Sequence, residues 1–211
     1  MCIRDSPPHV AVGTDLLYAA MTKTGGIIAH TRQGHVRWRA VLALALTSIP
    51  ASILTLLILK FYFPTAGHYE GIIKASLGVM LLITGALLLY KAFRHESLPI
   101  SPQEAPITQS ALVKLTLIGA PLGFLVTVSS VGAGVVGTMI LLYVLPHFRS
   151  QYIVGTDLAH AVPLTFVAGI GHFLLLDNVD WQLLISLLIG CLLYTSPSPR
   201  DLSTSRMPSS A

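Results

Sequence analysis

The chain has 211 residues, of which 53% are hydrophobic and 10% are charged, with a formal net charge of +4. A water-soluble domain carries roughly 25% charged residues, so this composition excludes an ordinary soluble fold, and the small charge gives no indication of nucleic-acid binding. Only helices or closed barrels satisfy the backbone in hydrocarbon, and the apolar stretches lack the alternation of barrel strands, so we predict an all-α integral membrane protein, a polytopic helical bundle.

The two ends of the chain differ in character from the rest. Residues 191–211 turn from an apolar helix into a string rich in Ser, Pro and Arg, and residues 1–6 are equally unlike the segment after them. We interpret both as non-native sequence, with a disordered native tail as the alternative. On that interpretation the native part, 7–190, lacks its first helix and the rest of its last span. The two cysteines, Cys2 and Cys191, indicate neither a disulfide framework nor a metal site, and no cofactor is predicted.

Hydropathy predicts seven membrane segments. A helical span needs about 20 mostly apolar residues, and the first segment is unusually polar for one. Pro50 is expected to kink the second. A polar, proline-containing stretch, 93–110, is predicted to be a cytoplasmic linker between two halves, 7–92 and 111–190. The segments are 10–30, 41–63, 72–90, 111–128, 131–145, 153–176 and 181–190.

The loops separate by charge. One set is basic, and by the positive-inside rule it is cytoplasmic. The alternate set, 64–71 and 177–180, is acidic and has no Lys or Arg. We therefore predict a multi-pass protein of the inner (plasma) membrane. The basic residues are Arg32, Arg37, Arg39, Lys91, Arg94, Lys114 and Arg149, and the acidic ones are Glu70, Asp177 and Asp180.

An internal repeat relates residues 9–38 to 151–181. The pentapeptide Val-Gly-Thr-Asp-Leu occurs at 12–16 and again at 154–158, and the match continues with His30 on His172 and with a Val-x-Trp. Such self-similarity indicates duplicated structure. If 111–145 crosses the membrane twice, the copies run in opposite directions, which is the inverted repeat of many secondary transporters. If it crosses once, the repeat is parallel. The loop charges favour inversion, with broken or short helices.

Polar groups within the repeated segments are the candidate functional residues. A charge at a helix centre costs roughly 2.5–3.5 kcal/mol on insertion scales, so Lys23 is expected to face a cavity or a carboxylate rather than lipid. We predict no catalytic residue and no metal ligand. The predicted substrate-binding residues are Thr14, Lys23, Ser130, Gly132 and Thr156; those for proton coupling are Asp15, Asp157 and His160; and His30 and His172 are predicted to be polar residues near helix ends.

Each of these interpretations has an alternative. The Gly-Thr-Asp triplets indicate either N-caps at helix starts or a helix start whose N–H groups bind an anion. Lys23 provides either a fixed charge for an anion or an ion pair with Asp15 or Asp157. His160, three residues after Asp157, is either a proton relay or a packing residue. The small residues at 129–134 form either a tight helix contact or a substrate-lining turn.

The chain resembles the TauE/SafE (sulfite exporter) family. The resemblance lies in P-P-H-V-A-V-G-T-D-L at 7–16, H-T-R-Q-G-H-V-R-W at 30–38 and the second copy at 154–181. The family's glycine-rich element before each V-G-T motif is represented by V-G-A-G at 131–134, whereas the first would precede Pro7. Family members commonly have V-G-T-S where this chain has V-G-T-D. The resemblance implies export of sulfite, sulfoacetate or a related small oxyanion, coupled to an ion gradient.

Other functions compete with this one. An anion channel or an importer of the same fold would share these sequence features. An intramembrane metal-dependent enzyme is a weaker alternative, since the sequence has neither an H-E-x-x-H motif nor a G-x-S-x-G motif. The expected partners are the lipid bilayer and a small inorganic or organosulfonate anion, without nucleic acid. A homo-oligomer is compatible with the sequence.

Overall fold

The computed structural model of the protein describes residues 7–62, 66–93, 107–131 and 134–195. The fold is all-helical across these residues, which confirms the predicted class. The predicted leader, most of the linker and Gly132 lie outside the described residues, whereas the last helix continues into the segment predicted as a non-native tail. The helices are α1 (Pro8–Arg32), α2 (Trp38–Tyr62), α3 (Ala66–Phe93), α4 (Gln109–Ser129), α5 (Val135–Val144), α6 (Ser150–Leu176) and α7 (Trp181–Thr195).

Within the described ranges, four helices are long and apolar enough to cross a membrane: α2, α4, α6 and the part of α3 from Gly71 to Leu89. This finding confirms a multi-pass membrane protein. α1 has 25 residues but is more polar, as predicted. α5 has ten residues, which at 1.5 Å per residue is about 15 Å, or half of a bilayer core. The predicted span 131–145 therefore contains a short helix rather than a full-length one.

Burial in this bundle follows the pattern of a membrane protein. α2 turns its hydroxyl-bearing residues Ser48, Ser52 and Thr55 inward, where they are almost completely buried. Several of its leucines lie on the outside, with Leu42 66% and Leu46 71% exposed. Water would penalise such an arrangement, whereas lipid accepts exposed leucine, and interhelical contacts in membranes favour small and hydroxyl side chains.

The core of the bundle consists of α1, α2, α4 and α6. α2 packs against α4 through two glycines: a Cβ on Gly119 would overlap Leu44, and a Cβ on Gly123 would overlap the backbone of Ser48. From the first contact to the second, the position moves forward by four residues in both helices, so α2 and α4 run in the same direction. α3 lies at the periphery, with Ile73 and Met80 as its fully buried residues.

The two helices that carry the predicted repeat, α1 and α6, pack against each other in opposite directions. The start of α1 contacts the turn that leads into α7, where the amide of Asp180 bonds to Thr14. The start of α6 contacts the turn that leads into α2, where the amide of Arg37 bonds to Thr156. α1 and α6 are therefore antiparallel. We refer to the two ends of the bundle as the Asp180 end and the Arg37 end.

The segment between α4 and α6 joins these two ends. Ser130, at the end of α4, hydrogen bonds to Asp15 at the Asp180 end. Phe148, just before α6, lies under the guanidinium of Arg37 at 5.3 Å. The chain is thus at the Asp180 end at Ser130 and at the Arg37 end at Phe148.

The repeated Val-Gly-Thr-Asp segments do not begin helices. α1 starts at Pro8, a residue favoured in the first turn because its missing N–H has no partner there, and α6 starts at Ser150. Gly13 and Gly155 are thus inside continuous helices. The interpretation of Thr14–Asp15 and Thr156–Asp157 as N-caps, or as an anion-binding helix start, is wrong. α2 is likewise one helix in which Pro50 is an internal residue.

Candidate functional site

Lys23 lies near the middle of α1 and interacts electrostatically with the carboxylates of both repeat copies, Asp157 and Asp15. The antiparallel packing of α1 on α6 brings Asp157 to Lys23, and Asp15 belongs to the same helix as the lysine. The side chain of Lys23 is half-buried. Lys23 thus has two acidic electrostatic partners, an arrangement compatible with both interpretations of this residue, an ion pair and a fixed charge for an anion.

Asp157 is the buried member of this group, with 4% of its surface exposed. The hydroxyl of Thr138 in α5 donates a hydrogen bond of 2.9 Å to its Oδ2. On the other side, Asp157 lies against Gly137, where a Cβ would overlap Oδ1. The short helix α5 thus positions the Asp157 carboxylate in two ways. Thr138 donates a hydrogen bond to it, and Gly137 leaves the space that it occupies.

Asp15 has a comparable hydroxyl partner but a different environment. Ser130 donates a hydrogen bond of 2.6 Å to Asp15 Oδ2, while Asp15 itself is exposed. Ser130 is the C-cap of α4 and has a φ of 57°, a left-handed conformation that is uncommon for residues other than glycine. That backbone turn directs the hydroxyl of Ser130 to the carboxylate.

His160 is 2% exposed, and its Nε2 lies 2.8 Å from the hydroxyl of Ser48 in α2. It follows Asp157 by three residues and so shares a face of α6 with it. A buried imidazole that keeps a hydroxyl partner is compatible with proton transfer and also with packing, the two roles that the sequence left open.

His172, predicted to lie near the membrane boundary, is completely buried. Its Nε2 donates a hydrogen bond of 3.0 Å to the carbonyl of Thr127 in α4, since a carbonyl can only accept. The hydroxyl of Thr127 donates to Ser52 at 2.7 Å. His172 therefore belongs to a buried polar layer that joins α2, α4 and α6.

Thr14 and Thr156 occupy equivalent positions in the two copies, and each hydroxyl contacts the other copy. Thr14 Oγ1 accepts a hydrogen bond of 3.0 Å from the amide of Asp180. Thr156 Oγ1 accepts one of 3.1 Å from the amide of Arg37. In the alignment of the repeat, Arg37 and Asp180 are counterparts, because each is the middle residue of its Val-x-Trp. The two contacts are thus related by the repeat.

The glycines that precede these threonines show the same exchange. A Cβ on Gly13 would overlap the carbonyl of Asn178 and lie 3.2 Å from the Cβ of His172. A Cβ on Gly155 would lie 2.7 Å from the carbonyl of His35 and 3.3 Å from the Cβ of His30. His30 and His172 are repeat counterparts, so both helix ends pack in the same way on the glycine of the other copy.

The Arg37 end also carries a cluster of rings. The guanidinium of Arg37 lies 4.7 Å from the centre of the Tyr152 ring. The rings of His35 and Tyr152 are in edge contact at 5.2 Å, and His30 lies 5.8 Å from His35. His30 is therefore part of this cluster.

Four of the predicted residues interact with one another: Lys23 interacts electrostatically with Asp15 and Asp157, and Ser130 hydrogen bonds to Asp15. Sequence reasoning missed Thr138, Gly137 and Ser48, because hydroxyl and small residues on membrane helices are common and carry no distinctive spacing. Among the described residues, no three of the types His, Cys, Asp and Glu lie close enough to hold a metal ion.

Comparison with known proteins agrees with these features. The chain matches the family model "Sulfite exporter TauE/SafE" over residues 1–200. It is similar to the "Probable membrane transporter protein YjnA" of Bacillus subtilis (strain 168), with 35% identity over 184 residues, which is 87% of this chain and 71% of that protein. No solved structure matches the chain.

Proposed function

The chain belongs to the TauE/SafE family and is a membrane permease of that type, and from this premise we propose that it is a secondary transporter that exports small sulfur oxyanions. Sulfite and sulfoacetate are the proposed substrates, and their transport is proposed to be coupled to an ion gradient. The observation that carries the proposal is that Lys23 of α1 interacts electrostatically with Asp157 of α6 and with Asp15.

We propose that Lys23 binds the anion and that Asp157 is its counter-ion when no substrate is present. A cation inside a membrane bundle needs a negative partner, and a small oxyanion can replace a carboxylate in that role. Asp157 must then lose its charge, which it does by accepting a proton. Ser130 is the proposed hydroxyl donor to the substrate: its hydroxyl donates to Asp15 at 2.6 Å in this structure and would exchange that carboxylate for the anion.

This exchange of counter-ions couples the anion to a proton. The anion binds when Asp157 is protonated, so both move in the same direction. His160, on the same face of α6 and hydrogen bonded to Ser48, is the proposed group that passes the proton to Asp157, and Asp15 is a second proton acceptor. Net export then proceeds whenever the cytoplasmic excess of anion outweighs the opposing proton gradient.

The antiparallel packing of α1 and α6 supports an inverted repeat in the membrane, with the Arg37 end in the cytoplasm. Opposed repeats allow a central site to face either side of the bilayer by related movements. The basic residues at the Arg37 end agree with that orientation under the positive-inside rule.

Flux measurements in liposomes test the proposal. Sulfite, thiosulfate, sulfoacetate and sulfate are loaded one at a time, with and without a pH gradient. We expect at least one sulfur oxyanion to accumulate on the alkaline side, and an uncoupler to abolish the accumulation. Movement that only dissipates gradients would indicate a channel instead. Transport unchanged in both Lys23→Gln and Asp157→Asn would contradict the assignment of the site.

A further inference from the structure

At each end of the bundle, a glycine and a threonine of one repeat copy contact backbone groups of the other. Arg37 and Asp180 carry opposite charges, yet each donates its backbone amide to the equivalent threonine at 3.1 and 3.0 Å. His35 and Asn178 also differ, yet each presents its carbonyl to the equivalent glycine. The backbone geometry of these contacts is thus the same at both ends, although the side chains of the residues differ.

The hydrogen of the Thr156 hydroxyl is already used in a bond within the bundle. A threonine hydroxyl has one donor and two acceptor positions. Thr156 donates to the carbonyl of Tyr152 at 2.6 Å and accepts from the amide of Arg37. An anion requires a donor, and Thr156 has none left to offer. Thr14, its counterpart, is 1% exposed and makes the equivalent bond to Asp180. These threonines therefore serve the packing of the bundle rather than a ligand.

We propose that Thr14 and Thr156, together with Gly13 and Gly155, are positioning residues that keep α1 and α6 joined at both ends throughout the transport cycle. We call these four contacts the inter-repeat contacts. At the Asp180 end they connect the start of α1 to the turn before α7, and at the Arg37 end they connect the start of α6 to the turn before α2. Neither end can therefore open without breaking a hydrogen bond and separating a glycine from the carbonyl packed on it.

The inter-repeat contacts have a direct effect on the site. Lys23 is on α1 and Asp157 is on α6, so their separation depends on how these two helices slide and rotate against each other. Fixing both ends keeps the lysine opposite the aspartate. The movement that exposes the site to either side then involves the helices outside this pair, and α5 is the one that touches Asp157 through Thr138. This part of the inference rests on the proposed transport function.

Valine substitutions distinguish a positioning residue from a substrate ligand. Thr14→Val and Thr156→Val keep the shape of the side chain and remove the hydroxyl. We expect each to lower the unfolding temperature of the purified protein by about 2–4 °C, to leave the affinity for sulfite within twofold, and to be rescued by serine. Thr24→Val is the matched control, because Thr24 bonds only to Ala20 of its own helix. A tenfold loss of sulfite affinity without a change in unfolding temperature would overturn the assignment.

Cross-linking tests whether the two ends stay together. In a protein with both native cysteines replaced by serine, one variant carries Thr14→Cys with Asp180→Cys, and another carries Thr156→Cys with Arg37→Cys. Each pair is joined by oxidation or by a short bifunctional thiol reagent, and the reduced form of the same variant is the control. We expect the joined protein to transport at least as fast as the reduced one.

Two results would overturn the proposal: pairs that cannot be joined in membranes, or joining that stops transport and is reversed by reductant. If no anion is transported even by the unmodified protein, the transport function fails. The unfolding temperatures and the joining yields still decide whether the inter-repeat contacts exist.

Discussion

Asp157 lies directly against Gly137, at a point where any side chain on residue 137 would overlap its carboxylate. α5 therefore approaches the proposed counter-ion of Lys23 through its backbone. The adjacent Thr138 donates a hydrogen bond to the other carboxylate oxygen. One turn of the ten-residue helix α5 thus determines the position of the Asp157 carboxylate.

Gly137→Ala is expected to displace Asp157 and to reduce transport about tenfold or more. Overpacking a filled site costs typically 1–3 kcal/mol, and here the group that must move is the carboxylate itself. The measurement is the initial rate of sulfite flux in liposomes, normalised to folded protein. Gly25→Ala is the control, because nothing lies within 4 Å of a Cβ at that position. Equal rates for the two variants would show that the position of Asp157 does not matter for transport.

Asp157→Asn is expected to separate anion movement from proton movement. The asparagine oxygen can still accept the hydrogen bond of Thr138, but the residue cannot bind and release a proton. We expect sulfite exchange between equal concentrations to persist while accumulation driven by a pH gradient is lost. A pH-sensitive dye inside the liposomes should report anion-dependent proton movement for the unmodified protein only. Proton movement that survives in Asp157→Asn would assign the coupling to another group.

Lys23→Gln is expected to weaken sulfite binding by about tenfold or more, because hydrogen bonds to charged groups contribute about 1.5–3 kcal/mol. It also leaves the buried charge of Asp157 without its cation, which is destabilising. Adding Asp157→Asn removes that charge, so the double variant should regain stability but not affinity. Isothermal titration and thermal unfolding of the same samples provide the two quantities. Normal sulfite affinity in Lys23→Gln would exclude this residue as the anion site.

Ser48→Ala is expected to destabilise the bundle by about 1–3 kcal/mol, because it leaves the buried Nε2 of His160 without a partner. Ser186→Ala provides the control, since Ser186 is exposed and bonds to Gln182 within its own helix. Thermal unfolding in detergent measures the difference. In the double variant with His160→Leu, the stability lost in Ser48→Ala should largely return. An unchanged unfolding temperature in Ser48→Ala would show that the hydrogen bond between Ser48 and His160 contributes nothing to stability.

Sequence reasoning located the membrane helices well, because hydropathy depends on the side chains alone. The predicted segments 41–63 and 153–176 correspond to α2 and α6 with small differences at their ends. It also selected Lys23 and Asp157, since a charge within an apolar segment is conspicuous. Helix starts were less predictable: the Gly-Thr-Asp triplets have the composition of a helix start, yet both lie inside helices because their glycines pack on a neighbouring carbonyl.

The partners of the site residues were beyond the reach of the sequence. Thr138 and Ser48 are ordinary residues of apolar helices, and only the packing of α5 and α2 on α6 gives them a role. The inter-repeat contacts were hidden for another reason. They use the backbone amides of Arg37 and Asp180, and an alignment of the two copies shows opposite charges at that position.

The exchange between the two copies has a consequence for how such a protein could arise. Within one copy, the threonine and the turn amide lie at opposite ends of a helix of 25 or 27 residues, so they cannot bond to each other. In a polypeptide with a single copy, the threonine hydroxyl and the turn amide could each find a partner only in a second molecule with the opposite orientation in the membrane. An unduplicated form of this fold is therefore expected to be an antiparallel dimer inserted in both orientations.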